Sequence, residues 1–135
     1  MIPKNVESAV LVVSPSPQRG MALSNMLDGV RIAAIHSRDC RGAVAHLSGS
    51  AISVVICDTN LPDGDWKDVL QQVLQARSAP VLIVTSRVAD HSLWAEVLNL
   101  GGYDVLAQPF DREEVTRVLA SALRASSAAL WCRPS

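Results

Sequence analysis

The chain carries no surplus of positive charge: 12 Lys and Arg stand against 13 Asp and Glu, for a net charge of -1. A surface that neutralises phosphates needs a cationic excess, so direct nucleic-acid contact is not expected. Long hydrophobic runs are missing too. The apolar stretches reach roughly five to seven residues, far short of the ~20 that a membrane-spanning helix needs. The opening residues, MIPKNVESAV, include a lysine but neither the apolar run nor the cleavage site of a secretory leader. Cysteine is sparse, and Cys40, Cys57 and Cys132 form no metal-binding or disulfide spacing. What is present excludes disorder: 49% hydrophobic and 19% charged residues. A length of 135 residues suits one domain with a single core. The expectation is a cytoplasmic globular chain.

Short apolar runs recur along it, at Ala9–Val13, Val30–Ile35, Ile52–Cys57, Val81–Thr85 and Val105–Ala107. Each is continuous rather than alternating, as a strand covered on both faces requires. Helical periodicity fills the intervals. Val115, Val118, Leu119, Ala122 and Leu123 follow one face of a helix that Asp111 and Glu114 open as a capping-box-like pair. Ser16 before Pro17 signals another helix start, with Leu23, Met26 and Leu27 inward and Asp28-Gly29 as its end. Asp39–Leu47, Asp65–Ala76 and Asp90–Leu100 complete the set. Strand and helix thus alternate five times. Crossovers of this length predict an α/β fold, a doubly wound five-stranded parallel sheet of order 2-1-3-4-5 with helices on both faces. Residues 1–125 form the expected domain, and 126–135, rich in Ala and Ser, a frayed tail or the start of a linker.

Ligand sites in open parallel sheets form beyond the carboxyl ends of the strands, at the switch point between the first and third. That rule selects Ser14-Pro15, Asp58, Thr85-Ser86 and Gln108-Pro109. Asp58 is the one strong nucleophile or ligand among them, and it precedes the turn-rich loop Thr59-Asn60-Leu61-Pro62-Asp63-Gly64.

Val54-Val55-Ile56-Cys57-Asp58-Thr59-Asn60-Leu61-Pro62-Asp63-Gly64 resembles the phosphoacceptor segment of response-regulator receiver domains in two-component signalling. Val81-Leu82-Ile83-Val84-Thr85-Ser86 is similar to that family's fourth strand. Gly101-Gly102-Tyr103-Asp104-Val105-Leu106-Ala107-Gln108-Pro109-Phe110 resembles its fifth-strand block, usually ending Lys-Pro-Phe. The three motifs stand in register over about Ser8–Leu123. The resemblance implies that Asp58 accepts phosphoryl from a histidine kinase, that Thr85 bonds a phosphoryl oxygen, and that the Asn60 carbonyl helps hold Mg²⁺.

The departures fall on the charged positions. Ser14-Pro15 stands where the family has an acidic pair, Gln108 where it has Lys, and Val105 where it has a switch aromatic. Tyr103 is the nearest aromatic, and shares a face with Val105 only in a regular strand. Mg²⁺ needs octahedral oxygen ligands and gives up water reluctantly, so two missing carboxylates weaken or abolish its binding. Loss of the Lys removes a charge-assisted bond worth about 1.5–3 kcal/mol. The expected function is a receiver-like, non-enzymatic signalling domain acting by protein contact, with impaired phosphorylation. Two alternatives stand beside it: a working receiver phosphorylated on Asp58, and a flavodoxin-like FMN binder on the same fold.

Other groups carry less. Asp63, Asp65 and Asp68 suit an acidic first helical turn better than a metal cluster. Cys57 faces the interior as an inert thiol. His36, His46 and His91 lie apart, with no ligand spacing. On the fourth helix Leu93, Trp94, Val97, Leu98 and Leu100 span roughly 160° of arc, wider than one buried stripe needs. Trp94 and Leu98 at its rim are the interface candidates. The expected partner is a histidine kinase, an output domain or a second copy in a homodimer.

Overall fold

A computed structural model describes residues 8–27, 32–49, 51–76 and 78–132. The elements run β1 (Ser8–Val13), α1 (Pro17–Met26), β2 (Ile32–Ser37), α2 (Cys40–Gly49), β3 (Val54–Asp58), β4 (Asn60–Leu61), β5 (Gly64–Asp65), α3 (Trp66–Gln75), β6 (Val81–Ser86), α4 (His91–Leu100), β7 (Asp104–Ala107) and α5 (Arg112–Cys132). β2, β1, β3, β6 and β7 form one parallel sheet in that order. Counting only these five, the order is the expected 2-1-3-4-5. β4 and β5 are a two-residue antiparallel ribbon inside the loop after β3, which the sequence shows only as turn residues.

The continuous apolar strands serve two cores, one on each side of the sheet. Ala9, Leu11, Val13, Val55, Cys57, Leu82 and Val84 pack with Ala43, Leu47, Val69, Val73 and Val97 of α2, α3 and α4. Val10, Val12, Val54, Ile56 and Ile83 pack with Leu23 of α1 and Val115, Val118, Leu119 and Ala122 of α5. Every residue of β3 is buried, as the middle strand between two helix layers must be.

Local signals set the helix ends. Ser16 caps α1 through the Arg19 amide with Pro17 in its first turn, and Asp65 and Asp68 close a full capping box on α3. Asp90 caps α4, and Gly101 ends it at φ 110°, a left-handed conformation that suits glycine. Asp111 accepts the Glu114 amide at the start of α5.

Some expectations shift. β2 begins at Ile32, two residues after the expected start, and Val30 and Asp28-Gly29 lie outside the described residues; α1 closes on Leu27. The stretch expected as a frayed tail continues α5 as helix to Cys132. Its Ala-rich sequence favours that backbone, since Ala has the highest helix propensity. Asp63 belongs to no first turn of its own helix: it reaches across to accept the Cys40 and Arg41 amides at the start of α2. Among the described residues, no helix is long and apolar enough to cross a membrane.

Candidate functional site: a neutralised aspartate at the sheet switch point

The strand register brings the selected residues together. Asp58 ends β3 directly beside Thr85 of β6. Val13 pairs with Cys57, so Ser14, one residue on, stands level with Asp58. Gln108 follows β7, its amide donating to the Ser86 carbonyl at 3.0 Å, and precedes a cis peptide to Pro109.

Asp58 is 6% exposed and its carboxylate is saturated with donors. Thr85 Oγ1 donates to Oδ1 at 2.7 Å, with Gln108 Nε2 at 3.5 Å from the same oxygen. Ser14 Oγ donates to Oδ2 at 2.9 Å. Arg19 adds two charge-assisted bonds to that oxygen, Nε at 2.9 Å and Nη2 at 2.6 Å. Of the roughly four lone-pair directions of a carboxylate, those of Oδ2 are crowded by three donors, and Oδ1 is held by Thr85 with Gln108 at longer range. The hydroxyl of Thr85, also buried, accepts from Gln108 Nε2 at 2.9 Å, so it is satisfied on both sides.

Arg19 is the functional residue that sequence reasoning missed. The switch-point rule looks at strand ends, whereas Arg19 sits in the first turn of α1, two residues past Pro17. A signal was present. The first turn of a helix favours acids and disfavours cations by a few tenths to about 1 kcal/mol. A lone Arg there, with no acid beside it, calls for a partner elsewhere. Asp58 is that partner, with the two side chains 29% and 9% exposed.

The remaining positions hold less chemistry. Pro15 offers no side-chain ligand. Asn60 is exposed and lines, with Arg19, Asp58, Thr59, Ser86, Arg87, Val88 and Gln108, a cleft of about 350 Å³. His36 donates from Nε2 to the Ser14 carbonyl at 3.0 Å, which steadies the end of β1. Cys57 is buried and its thiol is pushed well above its ordinary value by burial, as its expected inertness requires. Cys40, beside Asp63, is pushed up to about 12, first by burial and then by that carboxylate.

Tyr103 and Val105 do not share a face. Tyr103 lies just before β7 and packs into the α1–α5 core, with its hydroxyl bonded to Ser121 Oγ. Val105 packs into the opposite core. The strand begins only at Asp104, so the two-residue alternation does not extend back to Tyr103. On α4, Trp94 is 42% exposed and stacked on His91 at 5.6 Å, whereas Leu98, expected at the exposed rim, is half-buried. Leu100 is the more exposed of the two leucines, at 47%.

A doubly wound sheet with an aspartate, a hydroxyl and a cis-proline block converging at its switch point defines a class, the signal-receiver fold. The chain belongs to the response regulator receiver domain family, whose pattern matches residues 10–120. Transcriptional activator protein IrlR of Burkholderia pseudomallei is 31% identical over 121 residues, covering 88% of this chain and 52% of that protein. Transcriptional regulatory protein KdpE of Mycobacterium tuberculosis is 30% identical over 122 residues, covering 89% and 53%. The chain therefore spans about half the length of these relatives. A signal receiver domain from Vibrio parahaemolyticus superposes with a TM-score of 0.86 at 19% identity, covering 96% of this chain and all of that one. Another, from an HD domain-containing protein of Pseudomonas fluorescens, gives 0.81 at 24% identity, covering 90% and 98%. These structures share the fold.

The family implies Mg²⁺ at this site, and the donor set does not suit it. Among the described residues Asp58 is the sole carboxylate lining the cleft, its Oδ2 is held by a guanidinium, and the neighbouring positions supply a hydroxyl and a proline. A divalent ion there would face a resident cation rather than a cluster of anionic oxygens.

Proposed function

We propose that this receiver domain signals by protein contact from a conformation fixed by the Arg19–Asp58 pair, without Mg²⁺-dependent phosphorylation. One observation carries the reading: both oxygens of the acceptor carboxylate are occupied by donors of the chain itself. Phosphoryl transfer depends on positioning and on cations that offset developing charge. Here the nearest cation is bound to the nucleophile, where it lowers its reactivity by holding its lone pairs. Metal binding is weak or absent, and no catalysis is assigned to the chain. Partners are proteins: a histidine kinase, an output domain, or a second copy. IrlR and KdpE are transcriptional regulators of which the match covers only about half, which supports an output module as one of them.

The docking face proposed for such a partner is the one formed by α4, β7 and α5. A cleft of about 430 Å³ lies there, lined by Asp90, His91, Trp94, Val105 and Glu114. Half-exposed Trp94 is its anchor, because Trp supplies large contact area at low entropic cost.

Incubation with a small acyl phosphate and Mg²⁺, followed by intact-mass measurement, tests the reading. The wild type is expected to gain no phosphoryl adduct. A variant combining Ser14→Asp, Pro15→Asp, Arg19→Ala and Gln108→Lys is expected to gain one that disappears on Asp58→Asn. A stoichiometric wild-type adduct on Asp58 would establish a working receiver instead.

A further inference from the structure

A second cavity adjoins the Asp58 cleft and shares Arg19, Arg87 and Gln108 with it. Its volume is about 570 Å³, inside the roughly 300–1,000 Å³ typical of small-molecule sites. Its lining combines apolar Ala22 and Met26 of α1 and Pro109 and Phe110 after β7 with polar Gln18, Arg19, Arg87 and Gln108, and it includes no acidic residue. We propose that this cavity binds a small monoanionic carboxylate with an aryl or alkyl body.

The chemistry follows from what each cation is already doing. Arg19 spends Nε and Nη2 on Asp58, so its charge is balanced, while Nη1 has no partner among the described residues. Arg87 is exposed and, among the described residues, has no acid within 4.0 Å. One uncompensated positive charge therefore shares the cavity lining with four apolar side chains. A planar carboxylate matches a guanidinium fork, and a hydrophobic body matches Met26 and Phe110. A dianion is disfavoured, because its second charge would go unpaired beside Asp58 in the adjoining cleft. The site belongs to the unphosphorylated state, in which Asp58 balances the charge of Arg19.

The test uses 3-phenylpropanoate as the probe and protein carrying ¹³C-labelled methionine methyls. Met26 lines the cavity, and Met21, 65% exposed on the same helix, is the internal control. The probe is expected to shift the Met26 methyl and leave Met21 in place. Affinity should fall about tenfold or more with the neutral 3-phenylpropanamide, and equally with Arg87→Gln, the loss expected for one charge-assisted hydrogen bond. Ala22→Leu, which fills the cavity from α1, should abolish the Met26 shift. Absence of that shift up to about 10 mM probe, where even weak ligands of drug-fragment size register, would overturn the proposal. Equal affinity for the amide, or an undiminished response in Arg87→Gln or in Ala22→Leu, would do so too.

Discussion

Arg19 and Asp58 form a half-buried ion pair whose worth lies between two limits. Exposed pairs contribute about 0–1 kcal/mol, and breaking a fully buried one costs about 3–5 kcal/mol. With Arg19 still 29% exposed, Arg19→Met is expected to cost about 2 kcal/mol in urea unfolding, near the middle of that range. A double-mutant cycle with Asp58→Asn should return a coupling energy above about 1 kcal/mol, as for residues in direct contact. A coupling near zero would mean that the pair does not hold the site together. The same residues show why position alone misjudges a side chain. Thr85 lies one residue before the end of β6, yet its hydroxyl donates to Asp58 and accepts from Gln108, so no free hydroxyl awaits a ligand.

At the level of elements, the loop after β3 does more than turn the chain. Gly64 lies where a Cβ would come within 2.3 Å of Asp68 Oδ2, so a side chain there would push that carboxylate out of the capping box of α3. One residue earlier, Asp63 reaches out of the loop to hold the N-terminus of α2. Its carboxyl sits below the usual 3.8, chiefly through the Cys40 amide and then the Arg41 amide. A depressed folded pKa gives stability that is present above the unfolded value and is lost as pH falls through the folded one. Asp63→Ala should therefore lower the urea midpoint at neutral pH. The gap from wild type should narrow as pH drops below 3.8. A gap independent of pH would assign Asp63 a role in shape rather than charge. The starts of α1 and α5 were legible because Ser16 and Asp111 cap locally, and Asp65 and Asp90 opened segments read as helical. The partner of Asp63 was not, because Cys40 and Arg41 lie 23 and 22 residues away.

For the whole molecule, the proposed function predicts indifference to magnesium. A site with a dissociation constant a hundredfold below the ion concentration would stabilise the fold by about 2.7 kcal/mol, on the order of 10 °C in a domain of this size. The melting temperature is expected to move by less than about 1 °C in about 10 mM MgCl₂, as for an ion without a specific site. A rise of several degrees that Asp58→Asn removes would show that the ion displaces Arg19. The two-sided burial behind the fold sets the scale of other changes. Ile56, 1% exposed in the α1–α5 core, should cost about 2–5 kcal/mol on truncation to Ala wherever the site stands, since the cavity left cannot collapse between packed strands.

The sequence alone determined the architecture, because continuous apolar strands, helical periodicity and local caps are short-range patterns with one doubly wound solution. It also marked Asp58, Thr85 and Gln108, since strand ends at a switch point must converge. Only the tertiary structure decided what Asp58 touches. Arg19 reaches it from 39 positions away, across a helix turn whose own preference runs against a cation. Spacing along a chain carries no record of such a meeting. Likewise Tyr103 and Val105 pack into opposite cores, with β7 beginning only at Asp104, a boundary that no pattern in the residues marks.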